Sequence, residues 1–175
     1  MPKLNPVNST ILGAAAEHYV MCQLLRQGKI AALAPAGVPD TDIIVSDRVG
    51  SQLAAIQVKA RRDIGSDGGW MMKAKHETID RELLFYCFVD FGNSLSDLPK
   101  CWVLHSSVVA RTIAAYHKAW LVAPGRGGSQ HKETDMRRLL PNYQLLADDP
   151  AFADGWLDIY RDAWELIFKS PQILG

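Results

Sequence analysis

Nine consecutive residues near the middle of the chain, LLFYCFVDF (83–91), contain one charge and otherwise only apolar or aromatic side chains. The run has the length of a strand and no polar face, so it must lie at the centre of a sheet covered on both sides. That requirement limits the chain to a layered fold, with packed elements above and below this strand. The remaining segments supply the layers. NSTILGAAAEHYVMCQLLRQGK reads as a helix, with Asn8, Ser9 or Thr10 as its cap and Gly28 as its stop. IAALAP, TDIIVSD and SQLAAIQVKAR read as three strands of an antiparallel meander, turning near residues 48–51.

DIGSDGG is a glycine-containing loop, and the local structure of WMMKAKHETIDRE is left open by its pattern. CWVLH reads as a further strand, SSVVARTIAAYHKAWLV as a helix capped by Ser106 or Ser107, and PGRGGSQHKETD as a loop. Near the end, Trp156, Ile159, Tyr160, Ala163, Trp164, Ile167 and Phe168 follow helical spacing. This predicts an amphipathic terminal helix with Asp154 as its cap.

The length of 175 residues suits one domain, spanning 1–175. No apolar run approaches a membrane span, and the first residues lack the apolar stretch of a signal peptide, so a cytoplasmic protein with no membrane partner is expected. Cys22, Cys87 and Cys101 are odd in number and sit in apolar sequence, as reduced core thiols do. Net charge is zero, which argues against coating nucleic acid by bulk electrostatics. The balance is uneven, however. Residues 141–175 carry −4 and form an acidic, helical C-terminal extension, leaving +4 on the body and room for a local nucleic-acid surface.

Three polar features stand where apolar residues are expected. Glu17 lies on a helix face with Gly13, Ala14, Val20, Met21 and Leu24; Asp42 opens the second strand; Gln57 and Lys59 share one face of the third. An acid on a leading helix, an Asp opening one strand and an x-Lys pair on the next resembles the PD-(D/E)xK nuclease superfamily. The residues that carry the likeness are Glu17 in GAAAEHYV, Asp42 in PDTDIIV, and Gln57 with Lys59 in IQVKAR. The run from there to Trp70 and LLFYCFVDF is similar to small uncharacterised bacterial proteins of this fold, over residues 10–110.

The resemblance implies an α/β, restriction-endonuclease-like fold, with a central mixed β-sheet (αβββαβ core) flanked by helices. It also implies a DNA endonuclease that uses Mg2+, or Mn2+ in its place. Asp42, the Gln57 side-chain oxygen, the Val58 carbonyl and Glu17 would hold the ion, and Lys59 would orient the attacking water. Here the acidic position of the motif is Gln57, which keeps an oxygen donor but removes one negative charge. Asp40, in the preceding VPD, is the competing acid and is assigned to the turn. Arg61, Arg62, Trp70, Lys73 and Lys75 are the candidate DNA contacts; for Trp70, packing beneath the loop is the equal alternative. Later basic residues, Arg126, Lys132, Arg137 and Arg138, could also meet phosphates. Cleavage of both strands of a duplex would call for a homodimer.

The rival reading is a catalytically silent module of the same fold that binds nucleic acid or a protein partner. Other chemistries are poorly served. Cys101 and His105 lie too far apart on one strand face to act as nucleophile and base. The histidines show no zinc spacing, and PGRGGS lacks the lysine of a phosphate-binding loop.

Overall fold

A computed structural model of the chain describes residues 8–62 and 69–168. Helix α1 (Ser9–Arg26) opens where the Asn8 side chain accepts the Thr10 N–H at 2.8 Å, satisfying a donor that the helix leaves free. It closes at Gly28, whose φ of 74° lies in the left-handed region and whose N–H returns to the Leu25 carbonyl. Strands β1 (Ile30–Leu33), β2 (Ile43–Ser46) and β3 (Leu53–Arg61) then form the expected antiparallel meander.

With β5 (Leu84–Asp90) and β6 (Lys100–His105) they make a five-stranded sheet of order β1-β2-β3-β5-β6. The sheet is mixed because β3 and β5 run parallel while the other pairs are antiparallel. All seven residues of β5 are buried, as its sequence requires.

The two faces of β5 serve two cores. Phe85, Cys87 and Val89 join Ile43, Val45, Ile56 and Val58 beneath Ala16, Val20 and Leu24 of α1. Leu84, Tyr86 and Phe88 pack on the other side against Val109 and Ile113 of helix α2 (Ser106–Val122) and against Trp70 and Leu139. Those last two belong to a second, two-stranded sheet of β4 (Trp70–Lys73) and β7 (Met136–Leu139). Gly69 permits this pairing: a Cβ there would stand 2.8 Å from the Leu139 carbonyl oxygen and still closer to the Leu140 side chain. The cysteines are free thiols, Cys87 and Cys101 buried and Cys22 exposed. No helix among the described residues is long and apolar enough to cross a membrane.

Besides the exposure of Cys22, a thiol expected in the core, three features differ from the sequence expectations. First, the αβββαβ order does not hold, since the described part of the β3-to-β5 crossover is β4 and a 3-10 turn (Ala74–Glu77), and α2 follows β6 instead. WMMK alternates buried Trp70 and Met72 with exposed Met71 and Lys73, the period of a strand, and finds its partner in MRRL, which follows the PGRGGSQHKETD loop. Second, α2 is capped by His105, whose ring accepts from the Ser107 N–H, so the helix starts directly where β6 ends.

Third, the terminal amphipathic helix is not formed. Residues 158–160 and 164–168 are separate 3-10 turns, divided by Arg161, which bridges to Trp102, and by Asp162, at φ 51° with its N–H on the Cys101 carbonyl. The reason lies in the sheet. Trp156, Leu157 and Tyr160 pack into the α2-side core and Trp164 and Ile167 into the α1-side core, so the segment wraps the β6 edge. A single helix has one apolar stripe and could serve only one face; the wrapped segment also shields an edge strand. Within the acidic extension Tyr143, Leu157, Ala163, Trp164 and Ile167 are thus buried. The leader at 1–7, the 63–68 part of the glycine-containing loop and the chain end at 169–175 lie outside the described residues.

Candidate active site

β3 is longer than β2, and the site lies in the difference. Ile43, the first residue of β2, stands opposite Ile56, so Gln57, Val58 and Lys59 extend past the end of β2. Ladder bonding stops at the Asp42 N–H, which donates to the Ile56 carbonyl at 2.8 Å. The next main-chain donor on that side, Val58 N–H, has no strand residue to meet, and the Asp42 carboxylate accepts it at 2.6 Å. The same Oδ2 accepts the Gln57 side-chain Nε2–H. Strand alternation also turns the Val58 carbonyl to this side. Asp42, Gln57 and Val58 therefore meet at one point, with Lys59 beside them on the Gln57 face.

The charges respond to this packing. Burial pushes the Asp42 carboxyl above its ordinary range, although the Val58 hydrogen bond and the Lys59 field pull it back. Glu17 is half-buried on α1, flanking the stripe of Ala16, Val20 and Leu24 and not within it. Burial raises its carboxyl, and the Asp42 charge raises it further. Lys59 is displaced the other way: burial lowers its ammonium pKa, with Lys75 and Lys73 adding to the effect and Asp42 opposing it. A carboxyl disfavoured by a neighbouring carboxylate, beside a partly desolvated lysine, is the kind of perturbed cluster found at functional sites.

Gln57 and Lys59 line a cleft of about 350 Å3 with Asp40, Met71, Met72, Lys73, Lys75 and His76. Of these wall residues, Asp40 is the competing acid assigned above to the turn, and His76 is not among the site residues to which the sequence points. Asp40 has a φ of 55°, as suits a turn, yet its side chain is 8% exposed and reaches the cleft, where Lys75 Nζ lies 2.6 Å from it and Arg81 3.7 Å. Burial alone would raise its pKa; the Lys75 hydrogen bond and the neighbouring positive charges lower it below the usual value. The Pro39-Asp40 pair, a turn dipeptide whose Asp tolerates the left-handed region, is the sequence signal for such a residue.

His76, on the 3-10 turn, is buried and bonded through Nδ1 to the Tyr86 hydroxyl at 2.8 Å. Burial, then Lys59 and Lys75, hold its pKa down to about 4, against 6.5 for a free histidine. Between those values the unfolded chain takes up a proton that the folded chain refuses. Stability is therefore complete above pH 6.5 and falls towards pH 4, by about 2 to 3 kcal/mol. Urea denaturation at pH 7 and pH 4.5 should show His76→Gln losing less stability than wild type over that interval; parallel losses would contradict the assignment.

Several candidate DNA contacts are used inside the protein. Trp70 is 1% exposed, donates Nε1–H to the Val89 carbonyl at 3.1 Å, and packs edgewise on Phe88 and Trp102. It cannot stack on a base without unfolding this core, which corrects the expectation of a nucleic-acid contact. Arg61 is also internal: its Nη2 lies 2.7 Å from Asp90, its register partner on β5, and its guanidinium covers the Trp70 ring at 3.9 Å. Arg137 is 5% exposed and bound to Glu77 and Glu133. Arg62 is half-buried at the end of β3. Lys73 and Lys75 are exposed on the cleft wall, next to Asp135 and Asp40 respectively.

No family model matches the chain, and no curated protein matches it in sequence. Among solved structures it is similar to a bacterial homing endonuclease, I-Ssp6803I, with a TM-score of 0.52 at 15% identity, covering 91% of this chain and 92% of that one. At that identity the likeness is one of fold: a mixed α/β architecture matched over nearly the whole length of both chains.

Proposed function

We propose that this chain is a divalent-metal-dependent nuclease that hydrolyses DNA phosphodiester bonds, with Asp42, Gln57, Lys59 and Glu17 as its active-site residues. The observation that carries this reading is the overhang of β3, which brings Asp42, Gln57 and Val58 to one point with Lys59 alongside. The fold shared with a homing endonuclease supports it.

The donor set fits magnesium. Among the described residues no three His, Cys, Asp or Glu side chains gather to form a metal cage. Asp42, Glu17, the Gln57 amide oxygen and the Val58 carbonyl are instead a short set of hard oxygens, suited to an ion that keeps several of its waters. When bound there, magnesium would lower the pKa of a water and neutralise phosphate charge. The protein's own part is to hold the phosphodiester in the cleft and to orient the water. Lys59 supplies fixed positive charge where negative charge develops, in a setting dry enough for that charge to count. Lys73 and Lys75 would meet flanking phosphates. Cutting both strands of a duplex would require two such sites, hence two copies of the chain.

Gln57 decides how tightly the ion is held. Its amide now turns Nε2–H to Asp42; rotating it by half a turn would present Oε1 instead. Gln57→Glu should tighten magnesium binding by on the order of tenfold, because it adds a full negative charge beside Asp42. Calorimetric titration with Mg2+ and Mn2+ would measure this, and unchanged or weaker binding would remove Gln57 from the ligand set. The same hydrogen bond favours the second reading, a silent DNA-binding module in which Gln57 caps Asp42. Supercoiled, branched and single-stranded DNA with Mg2+ or Mn2+ separates the two. Metal-dependent cleavage by wild type and none by Asp42→Asn supports the nuclease. DNA binding with neither cleavage nor metal binding supports the module.

A further inference from the structure

His76 sits in the cleft with a role that neither the motif nor the metal site supplies. Its ring is fixed by two contacts with Tyr86, the Nδ1 hydrogen bond and an edge-to-face packing at 5.7 Å and 79°. Tyr86 is fully buried, stacks on Phe88, and is the register partner of Gln57 across the parallel β3–β5 pair. The imidazole is thereby tied to the strand residue beside the candidate metal ligand.

The hydrogen-bond partnership favours one tautomer. The Tyr86 hydroxyl stays protonated, since burial raises its pKa well above the ordinary value, and His76 Nδ1 is its bonding partner. If Nδ1 carried the proton, the hydroxyl hydrogen would be stranded in the core; donating it to Nδ1 satisfies both groups. The ring proton then resides on Nε2. Among the described residues nothing in the protein takes Nε2, and His76 is part of the cleft wall with Lys59 and Lys75. Those two ammonium groups also keep the ring from acquiring a second proton near neutral pH.

A protonated Nε2 cannot ligate a cation. With Lys59 and Lys75 it lines one cleft, Lys75 being paired there with Asp40, and N–H donors so grouped suit an anion with several acceptor oxygens. We infer that His76 is a phosphate-binding donor of this site, its Nε2–H directed to a non-bridging oxygen of the phosphodiester that Lys59 also engages. The inference rests on the nuclease reading for the identity of that anion. It does not rest on a bound metal.

The test uses the full chain labelled with 15N-histidine. Long-range 1H–15N correlation in metal-free buffer should show His76 as the Nε2–H tautomer, and adding a short DNA duplex should shift that nitrogen. With magnesium, His76→Phe should lower kcat for cleavage by on the order of 100-fold with a smaller change in KM. His76→Gln, which places an amide N–H near the same point, should recover most of the loss. Its recovery separates a lost donor from a damaged fold.

An Nδ1–H tautomer, a nitrogen unmoved by DNA that shifts other signals, or a His76→Phe protein that cleaves like wild type would each overturn the donor role. If wild type does not cleave but the His76 nitrogen still moves with DNA, the nuclease reading fails and the donor role stands. If DNA neither binds nor is cut, both fall.

Discussion

Replacing Lys59 with methionine should reduce magnesium-supported DNA cleavage by on the order of 1,000-fold while leaving the protein as stable as before, or more so. The two halves of this expectation have one cause. Lys59 is half-buried, and burial disfavours its charged form, so the fold gains nothing by keeping an ammonium there. Methionine retains the apolar stem and removes the desolvated charge. Cleavage depends on that charge being present where the phosphate becomes more negative, and no other group on β3 can replace it.

The pH profile should carry the same signature. Activity on the alkaline side should decline below the ordinary lysine value of 10.5, as the Lys59 ammonium loses its proton. On the acid side it should fall at higher pH than an ordinary carboxylate would dictate, because the carboxyls of Asp42 and Glu17 are both raised. Plasmid nicking kinetics alongside thermal denaturation of both proteins measure the pair of effects. A methionine variant that cleaves normally would remove Lys59 from the chemistry, and one that unfolds would make it a structural residue.

Trp70→Ala should destabilise the domain by about 3 to 5 kcal/mol, the cost of emptying a large buried aromatic site. Four interactions end together: the Nε1–H bond to the Val89 carbonyl, the edgewise contacts with Phe88 and Trp102, and the cover over Arg61. The last loss spreads, since Arg61 is ion-paired with Asp90 in the same layer and would gain a water-filled neighbour. Trp70→Phe should recover part of the loss without restoring the hydrogen bond. Chemical denaturation distinguishes this role from a DNA-contact role: a surface Trp stacked on a base would change DNA affinity and leave stability within about 0.5 kcal/mol.

Much of the site could be read in the chain because its residues are close in sequence to the elements that hold them. Asp42 opens a strand and Gln57 and Lys59 alternate along another, so period-two geometry puts them on one side of a meander whose turn is local. Glu17 was placed on α1 correctly, but the buried stripe is centred on Ala16, Val20 and Leu24, and Ala14 faces solvent. Asp40 was set aside as a turn residue, and His76 passed over, for a different reason. What brings them to the cleft is the crossover between β3 and β5 and the Tyr86 hydroxyl, contacts made across 10 to 35 residues of chain. Arg61 reads in sequence as the basic edge of a strand, and for Trp70 a DNA contact and packing beneath the loop read equally well; their partners, Asp90 and Phe88, place both inside.

The chain by itself determined the layered architecture, through the seven buried residues of β5. It also determined the local elements whose caps and periods are written within a few residues, and the order of Glu17, Asp42, Gln57 and Lys59. The tertiary structure decided what depends on distant partners: that WMMK is a strand paired with MRRL, and that the last aromatic residues divide between two faces of the sheet instead of forming one helix. The physical reason is the reach of the interactions. Caps and side-chain alternation act over one to four residues, whereas strand pairing and the burial of an apolar residue are satisfied by whichever surface the completed fold brings within reach.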